Sequence, residues 1–395
     1  MKVLVAGGGI GGLSCAIALL QRGIDVEVYE QAGEFREVGA GIQISPNGNR
    51  ALDCLGVFET LRGLSCDADE KEIRLWSTGH AWKLFSDGDA VVRRYGFPYM
   101  TVFRPDLLRV LAEQVERLKP GAIRLGARCA GLAQTSDRVE LQLEDGHGAA
   151  GEVLVGADGV HSRIRPALFG SDDIRFTGMV VWRSLIPMAA LPEQMKRNVA
   201  VNWVGPGGHV VHYPVHGGSM MNFVATKEGR EWPGPPWNQP STVSECAAAF
   251  EGWHDDVRTM IRHAPSMTKW ALCLREFLDT WTVGRCTLLG DACHPTTPFL
   301  AQGAVVTIED GLVLGRCLDK YRDDPVAGLA RYEALRKERT YAMVRRANDN
   351  GRRIHSQELA DEETAMRFGE REWSSGAVGD RYEWLYGYQA DSVAV

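Results

Sequence analysis

The first thirty residues constrain the fold more than any other stretch of the chain. A strand-like apolar segment, a glycine-rich turn, a helical pattern, a second strand-like segment and an acid follow one another there: residues 3–6, 7–12, 13–20, 26–29 and Glu30. In the spacing G-x-G-x-x-G, Gly7 permits a tight turn, Gly9 lets the backbone approach a pyrophosphate, and Gly12 lets helix pack against strand. The pattern predicts a Rossmann-type dinucleotide-binding unit.

The acid at the end of the second segment refines this prediction. The helix start would offer free N–H groups to phosphates, and Glu30 is placed to accept hydrogen bonds from a ribose. An acid there suits an adenosine with a free 2′-hydroxyl, so we expect FAD or NAD rather than NADP. A glycine triplet alone also occurs in turns of other α/β proteins; the complete order of strand, helix, strand and acid favours dinucleotide binding.

Length, composition and charge exclude several classes of protein. A chain of 395 residues suggests two or three domains. Its 45% hydrophobic and 24% charged residues are those of an ordinary globular protein. A net charge of −7 and a pI near 5.9 provide no electrostatic footprint for nucleic acid or an acidic membrane. We therefore expect neither partner.

Cysteine usage and the N-terminus bear on location. Nine cysteines without a C-x-x-C pair argue against a disulfide framework and a zinc ribbon, so no metal site is predicted. The chain begins with a strand pattern interrupted by glycines rather than with a signal peptide. No apolar segment reaches the roughly 20 residues that a membrane span needs. The expectation is a cytoplasmic protein.

Two later turns resemble the first in outline. A strand at 152–155 leads into GADGVHSRIR at 156–165, and a strand at 285–289 leads into GDACHP at 290–295, before a helix at 305–319. No second G-x-G-x-x-G occurs. A protein that used both a flavin and a nicotinamide would therefore have a dedicated fold for only one of them. Arg104 lies at a predicted strand-to-helix junction, where it could reach a phosphate or form a capping ion pair.

The middle of the chain has a β pattern. Strand-like segments alternate between 180 and 226, and shorter ones between 71 and 103 suggest an antiparallel ribbon. Helices are predicted at about 242–263, from about Asn49, and in the charged C-terminal stretch.

Three motifs in this order identify a family: residues 7–12 with Glu30, then 156–165, then 290–295 with Gly303 and Ala304. The sequence resembles the single-component FAD-dependent aromatic hydroxylases, the group of para-hydroxybenzoate hydroxylase. Within it, the chain is most similar to salicylate hydroxylase, 3-hydroxybenzoate 6-hydroxylase and 6-hydroxynicotinate 3-monooxygenase. The segments EVGAGIQISPN, GADGVHSRIR, LLGDACHPTTPFLAQGA, IED and WLYGY carry this likeness, which covers nearly the whole chain.

The resemblance implies an α/β fold with a Rossmann-like FAD-binding domain, an inserted, mostly antiparallel β-sheet substrate domain and C-terminal helices. We expect the FAD-binding domain at 1–72, 101–172 and 275–325. The substrate domain would occupy 73–100 and 173–274, and the helical region 326–395.

The resemblance also implies roles for individual residues around FAD. Gly7, Gly9, Gly12 and Glu30 would hold the ADP half. Arg104 would contact the phosphate side, and Asp158 would serve both FAD and nicotinamide. Further along the cofactor, four positions are implied at the ribityl chain, beside the flavin and at its pyrimidine edge: Asp291, Pro298, Gly303 and Ala304. A helix N-terminus at the last two would favour a reduced anionic flavin.

Substrate contacts are expected on the segment GHVVHYP. Residues four apart share a face of a strand, so His209 and Tyr213 point the same way and His212 the opposite way. In the similar hydroxylases a histidine and a tyrosine at these positions face substrate. His209 is therefore assigned as base or hydroxyl partner and Tyr213 as hydrogen-bond donor. The alternative is that His209 is an ordinary sheet histidine.

Other pocket candidates are Gln43, Arg183, Phe299 and His294. The hydroxynicotinate enzymes carry histidines at the positions of Gln43 and Phe299. This departure argues against hydroxynicotinate as the substrate.

The function implied is an NAD(P)H-consuming monooxygenase with FAD bound and O₂ as co-substrate, working through a flavin C4a-hydroperoxide. Its substrate would be a small hydroxylated aromatic or pyridine carboxylate, and a base near the ring hydroxyl would make the ring more nucleophilic. The alternative is a dehydrogenase or reductase on the same scaffold without oxygen insertion. The choice between NADH and NADPH, and between monomer and homodimer, stays open at this point.

Overall fold

The structure is a computed structural model that describes residues 1–35, 40–170, 173–229, 231–233 and 237–395. Residues 37–39 of the EVGAGIQISPN segment and the predicted domain limit at residue 172 lie outside the described residues.

Twenty strands occur in the described residues. In chain order they are β1 Lys2–Ala6, β2 Asp25–Tyr29, β3 Gly41–Ile44, β4 Cys66–Asp67, β5 Glu70–Leu75, β6 Ala81–Phe85, β7 Met100–Phe103, β8 Ile123–Arg124, β9 Cys129–Gln134, β10 Val139–Leu143, β11 Gly148–Gly151, β12 Val153–Gly156, β13 Arg175–Pro187, β14 Val199–Gly205, β15 Gly208–Val215, β16 Met220–Lys227, β17 Asn238–Ser241, β18 Met267–Leu274, β19 Thr282–Val283 and β20 Cys286–Leu288.

Twelve α-helices accompany them in the same part of the chain. They are α1 Ile10–Leu20, α2 Pro46–Cys54, α3 Phe58–Arg62, α4 Gly88–Tyr95, α5 Arg104–Leu118, α6 Ile164–Phe169, α7 Val243–Ala249, α8 Asp255–His263, α9 Gly303–Lys320, α10 Pro325–Ile354, α11 Glu362–Trp373 and α12 Ser375–Tyr386. Short 3₁₀ turns lie at Met188–Ala190, Glu193–Met195, Gly290–Ala292, Pro298–Leu300 and Gln357–Leu359.

The N-terminal strand lies inside a six-stranded sheet of order β19-β20-β12-β1-β2-β8. All its neighbouring pairs are parallel except β19 with β20. The carboxyl ends of β1, β12 and β20 meet at one edge, and each is followed by one of the three turns singled out in the sequence. Ligands bind at that edge of open α/β sheets, so the sheet brings the three motifs together.

A second, eight-stranded sheet has the order β17-β18-β13-β16-β15-β14-β5-β6. Its pairs are antiparallel apart from β14 with β5. Together with the parallel sheet and the C-terminal helices α10–α12, it confirms the predicted fold class. The predicted domain limit at residue 73 falls inside β5, which begins at Glu70.

The predicted antiparallel ribbon at 71–103 is only half correct. β5 and β6 form a hairpin, but the sequence prediction missed α4, and β7 leaves the ribbon to pair with β3 and β4 in a separate three-stranded sheet. The amphipathic helix α4 lies between β6 and β7 in the chain, and these two strands pair in different sheets. Helix α2 also begins earlier than expected, because Pro46 occupies its first turn, where a missing N–H costs no hydrogen bond.

Candidate active site

Two joined cavities lie between the parallel sheet, the eight-stranded sheet and the start of α9. They have volumes of about 390 and 530 Å³ and share Gly9, Ala157 and Gly159 in their linings. Each is in the size range of small-molecule pockets. We call them the inner cavity, which reaches β15, and the outer cavity, which reaches the end of β2.

The three glycines of the first motif have different surroundings. Gly7 has φ +107°, and a Cβ there would lie 2.3 Å from the carbonyl oxygen of Ala157. A Cβ on Gly12 would lie 1.9 Å from the carbonyl oxygen of Gly7. Helix α1 can therefore pack against the turn only because residue 12 has no side chain. Gly9 lines both cavities and has no atom within 4 Å of such a Cβ. Its open space is what a dinucleotide would fill.

Two helix N-termini face the inner cavity. No described side chain caps α1 or α9, and neither helix has an acid in its first turn. Gly9 and Ile10 at the start of α1, and Gly303 and Ala304 at the start of α9, line this cavity. Uncapped N–H groups and the positive end of the helix dipole favour an anionic group at each place.

Glu30 and Asp158 line the outer cavity, and both also hold its loops. One Glu30 oxygen accepts from Gly8 N–H at 2.7 Å and the other from Ala32 N–H at 2.8 Å. Asp158 accepts from Ser162 Oγ at 2.6 Å and from two backbone N–H groups at the start of α6. Burial raises the pKa of Asp158, and these hydrogen bonds oppose the rise. The loop-holding contacts of both acids were not predicted.

Three residues that the sequence analysis assigned to the cofactor line the inner cavity: Arg104, Asp291 and Pro298. Enclosure by protein raises the pKa of Asp291 above its usual value, while the charges of His294 and Arg104 oppose that rise. Asp291 is nevertheless open to the cavity. It therefore offers acceptor atoms to a polar chain placed there.

Behind the turn at residues 290–295, a buried ionic cluster fixes α9 to α10. His294 Nε2 lies 2.6 Å from Asp310 Oδ2, and Arg336 donates to Asp310 Oδ1 and Glu309 Oε2 at 2.7 Å each. The IED segment, which includes these two acids, thus positions the helix start that faces the cavity. The interpretation of His294 as a pocket residue was wrong: its side chain is fully buried against Asp310 and lines neither cavity.

The far wall of the inner cavity carries four side chains that were expected from the sequence to contact substrate. His209, Tyr213, Gln43 and Arg183 all line it. Burial raises the pKa of Tyr213, while the charge of Arg183 and a hydrogen bond with Gln43 oppose the rise, so these three side chains are neighbours. His212 lines a separate small cavity with Arg74 and Met260. The strand alternation inferred for His209 and His212 is therefore present.

His209 is the first member of a hydrogen-bonded chain to the surface. Its Nδ1 lies 2.7 Å from His355 Nε2, and His355 Nδ1 lies 2.5 Å from Glu228 Oε1. His209 and His355 are 3% and 4% exposed, whereas the Glu228 side chain is 41% exposed. Burial and the charge of His355 hold the pKa of His209 well below its usual value. Sequence analysis missed His355 and Glu228.

Phe299 does not line the inner cavity, although it was expected in the pocket. Its ring packs edge-on against His209, with 5.4 Å between ring centroids, and it lines a third cavity of about 50 Å³. Gly351 of α10 makes room for it, because a Cβ there would lie 2.5 Å from the Phe299 ring. The third cavity, called here the side cavity, shares Gln43, His209 and three further residues with the inner one: Val211, Pro298 and Ala301.

The groups around the cavities are of the kinds that FAD binding requires. The space at Gly9, the acid at the end of β2 and the uncapped start of α1 fit an adenine dinucleotide. The uncapped start of α9 beside Asp291 fits a flavin with its ribityl chain. No group of three or more metal-ligating side chains occurs in the part of the chain that the structure describes. Fold and cavities thus define a protein that binds an extended dinucleotide next to a pocket lined by a buried histidine.

Comparisons with known proteins give the same class. Residues 1–347 match the family described as FAD binding domain. The chain is 40% identical to the 3-amino-4-hydroxybenzoate 2-monooxygenase PtnB3 of Streptomyces platensis, covering 99% of this chain and 97% of the relative. It is 36% identical to the 3-hydroxybenzoate 6-hydroxylase of Polaromonas naphthalenivorans (strain CJ2), covering 98% and 96%. The structure of Klebsiella pneumoniae HpxO with FAD and uric acid superposes with a TM-score of 0.81 at 28% identity, covering 96% of each chain.

The chain therefore belongs to this FAD-binding family, among its FAD-dependent aromatic monooxygenases. The resemblance seen in the sequence is confirmed, and monooxygenase activity is favoured over the dehydrogenase alternative. The cofactor is FAD, with NAD(P)H and O₂ as the co-substrates of the family. Among the described residues, no helix is long and apolar enough to span a membrane.

Proposed function

We propose that the protein hydroxylates a small hydroxylated aromatic carboxylate at the expense of NAD(P)H. The observation that carries this proposal is the buried His209, which lines the cavity next to the dinucleotide cradle and is hydrogen-bonded toward solvent. Such an arrangement suits removal of a proton from a ring hydroxyl. The relatives named above act on 3-amino-4-hydroxybenzoate and 3-hydroxybenzoate.

The residues around the two cavities would hold FAD. Gly7, Gly9, Gly12 and Glu30 would receive the ADP half, with Asp158 at its edge and Arg104 toward the phosphates. Asp291, Pro298, Gly303 and Ala304 would receive the ribityl chain and the flavin. When bound, FAD supplies electron transfer from NAD(P)H and the activation of O₂. These roles are supported by the lining of the cavities.

Hydrogen bonding constrains which nitrogen of His209 is the base. Because the Glu228 carboxylate accepts from His355 Nδ1–H, a neutral His355 presents Nε2 as an acceptor, and His209 must donate to it from Nδ1. His209 Nε2 then carries a lone pair. It can take the proton of a substrate hydroxyl while Nδ1–H passes a proton to His355 Nε2.

The proton then leaves through the second half of the chain. His355, bearing two protons, is stabilised by Glu228, which is exposed and exchanges with water. The low pKa of His209 means that its own charged form is disfavoured, so the proton moves on rather than remaining in the cavity. Tyr213 would donate a hydrogen bond to the substrate, with Gln43 and Arg183 beside it.

We also propose the division of the chain into a FAD-binding domain, a substrate domain and a C-terminal helical region at the limits given above. Membership of the two large sheets supports it. A cytoplasmic location is proposed because all nine cysteines are free thiols. Burial raises the pKa of several of these thiols, Cys15 to about 12 for example, so they are unreactive.

The test is NADH and NADPH oxidation by FAD-loaded protein with a panel of acids, with product mass measured in parallel. The panel holds 3-amino-4-hydroxybenzoate, salicylate, 3- and 4-hydroxybenzoate, hydroxynicotinates and anthranilates. An acid that accelerates oxidation and gains one oxygen supports the proposal. Faster oxidation with only peroxide formed identifies an effector of the right class. No acceleration by any acid would contradict the proposed substrate class.

A further inference from the structure

Lys71 is a partly buried cation that lines the side cavity. It lies on β5, and its Nζ donates to Tyr99 Oη at 2.6 Å. Tyr99 Oη in turn donates to Gln43 Oε1 at 2.8 Å, which links the ammonium to a residue of the inner cavity. Its Nζ also lies 4.2 Å from the centre of the Tyr99 ring. All of these partners are uncharged.

The ammonium has no counter-ion in the part of the chain that the structure describes. Glu70 and Glu72, its neighbours on β5, point to the other face of the strand and pair with Arg74, Lys83 and Arg197. Loss of water around Lys71 lowers the pKa of its ammonium to about 7. An ammonium that has lost much of its water and has no counter-ion is costly, and an arriving anion would relieve that cost.

Lys71 lines the side cavity, together with Gln43 and His209. A volume of about 50 Å³ holds a few water molecules or one small polar group. It is too small for an aromatic ring. Because the side cavity shares five lining residues with the inner one, a ring in the inner cavity could extend one substituent into it.

We propose that Lys71 is the cation that receives the carboxylate of the substrate in the side cavity. This assignment rests on the proposed function and specifies how its acid is recognised. The other cations on the wall of the inner cavity, Arg104 and Arg183, do not line the side cavity, and the guanidinium carbon of Arg183 lies 5.3 Å from the centre of the Trp270 ring. Lys71 thus fixes the end of the ring that carries the carboxylate, and His209 on the shared wall meets a hydroxyl.

The pH dependence of binding follows from the same geometry. A bound carboxylate raises the pKa of Lys71, so acid binding is strongest below about pH 7 and weakens, by up to about tenfold per unit, as pH rises above it. The titratable groups that face Lys71 from other elements are Tyr99, Tyr382 and His209. Burial raises the pKa of both tyrosines and lowers that of His209, so none of them titrates near pH 7.

The experiment measures dissociation constants of acid and amide pairs on the FAD-loaded protein, from the change in flavin absorbance. The pairs are 3-hydroxybenzoate with 3-hydroxybenzamide, salicylate with salicylamide, and 3-amino-4-hydroxybenzoate with its amide. The variants are Lys71→Met, Lys71→Arg and Arg183→Met. Lys83→Met is the control, because Lys83 lies on the adjacent strand β6 and lines none of the three cavities. FAD content and melting temperature establish that each variant is folded.

Wild-type protein and Lys83→Met are expected to prefer acid over amide. Lys71→Met should lose about 10- to 100-fold in acid affinity with amide affinity unchanged. Lys71→Arg should keep the preference and lose its pH dependence, because a guanidinium stays charged. Equal or absent binding of acid and amide by the wild type overturns the assignment, as does loss of the preference in Arg183→Met but not in Lys71→Met. Acid-selective binding without hydroxylation would instead contradict the proposed function alone.

Discussion

The proposed role of His209 depends on two contacts: its side chain lines the inner cavity, and its Nδ1 is hydrogen-bonded to His355. A histidine that met only the cavity would have to keep the proton it accepts. Burial disfavours that charged form, so a base in this position needs an exit for the proton. His355 and Glu228 provide it over two short hydrogen bonds.

Removing this imidazole should separate hydroxylation from flavin reduction. We expect His209→Ala to retain FAD and its reduction by NADH, while product formation falls by at least about 100-fold, the range of general-base catalysis. Anaerobic flavin reduction and product per NADH measure the two parts. His212→Ala on the opposite face of β15 is the control and should hydroxylate normally. Full hydroxylation by His209→Ala would remove this residue from the mechanism.

The hydrogen-bonded chain from His209 to Glu228 leads to a separate prediction about pH, in which His355 acts as a positioning residue. Burial is the main cause of the low pKa of His209, and the charge that His355 carries when it is protonated lowers this pKa further. In His355→Gln that pKa should rise, so the unprotonated base is lost at a higher pH and the acidic limb of kcat moves upward. KM should stay the same. The exposed His147 supplies the control variant His147→Gln. An unshifted acidic limb in His355→Gln would argue that His355 is only a packing residue.

The residue-scale predictions from sequence succeeded where local periodicity was sufficient. Strand alternation was enough to place His209 and Tyr213 on one face of β15. It could not supply His355, which is distant in sequence and stands at the end of α10. Lys71 did carry a local signal that was overlooked: it shares a face of β5 with the buried Ile73 and Leu75.

At the scale of elements, the turn between β1 and α1 is built for a ligand that passes close to its backbone. Gly7 and Gly12 are required by the protein itself, since side chains there would overlap other backbone atoms. Gly9 is not, because the space beside it is open. Of these three glycines, only Gly9 can be substituted without disturbing the fold.

We predict that Gly9→Ala weakens FAD binding at least about tenfold, because the methyl group occupies the cradle, which corresponds to roughly 1.4 kcal/mol. The melting temperature of the FAD-free protein should stay within about 2 °C of the wild type. Gly33→Ala is the matched control, since that position is exposed and also has open space around it. FAD affinity by fluorescence titration gives the comparison. Equal FAD affinity in Gly9→Ala and wild type would show that the cofactor does not pass this turn.

Element order was predictable because each motif consists of a strand, a turn and a helix that are adjacent in sequence. Strand pairing was not, as β7 shows: its four residues have the same pattern whether the partner is β6 or β3. Pairing is decided by long-range contacts. One of them is the hydrogen bond from Gly41 N–H to Asn222 Oδ1, which docks β3 onto the eight-stranded sheet.

At the scale of the whole molecule, the two large sheets divide the work of the proposed reaction. The parallel sheet presents three turns to a dinucleotide, and the eight-stranded sheet closes the inner cavity with His209, Tyr213 and Arg183. The long helix α10 joins them: Arg336 in its middle fixes the start of α9, and His355 after its end completes the proton path. This division explains why the site could be inferred only in parts from the sequence.

The central claim is that one atom of O₂ enters an aromatic acid. The direct measurement is the reaction of FAD-loaded protein with NADH, NADPH and the acid panel under ¹⁸O₂ in ordinary water, with the products analysed by mass spectrometry. We predict that an acid of the panel yields a product carrying one ¹⁸O atom, and that no label enters from H₂¹⁸O under ordinary O₂. Oxidised product without ¹⁸O, or label drawn from water, would contradict the account.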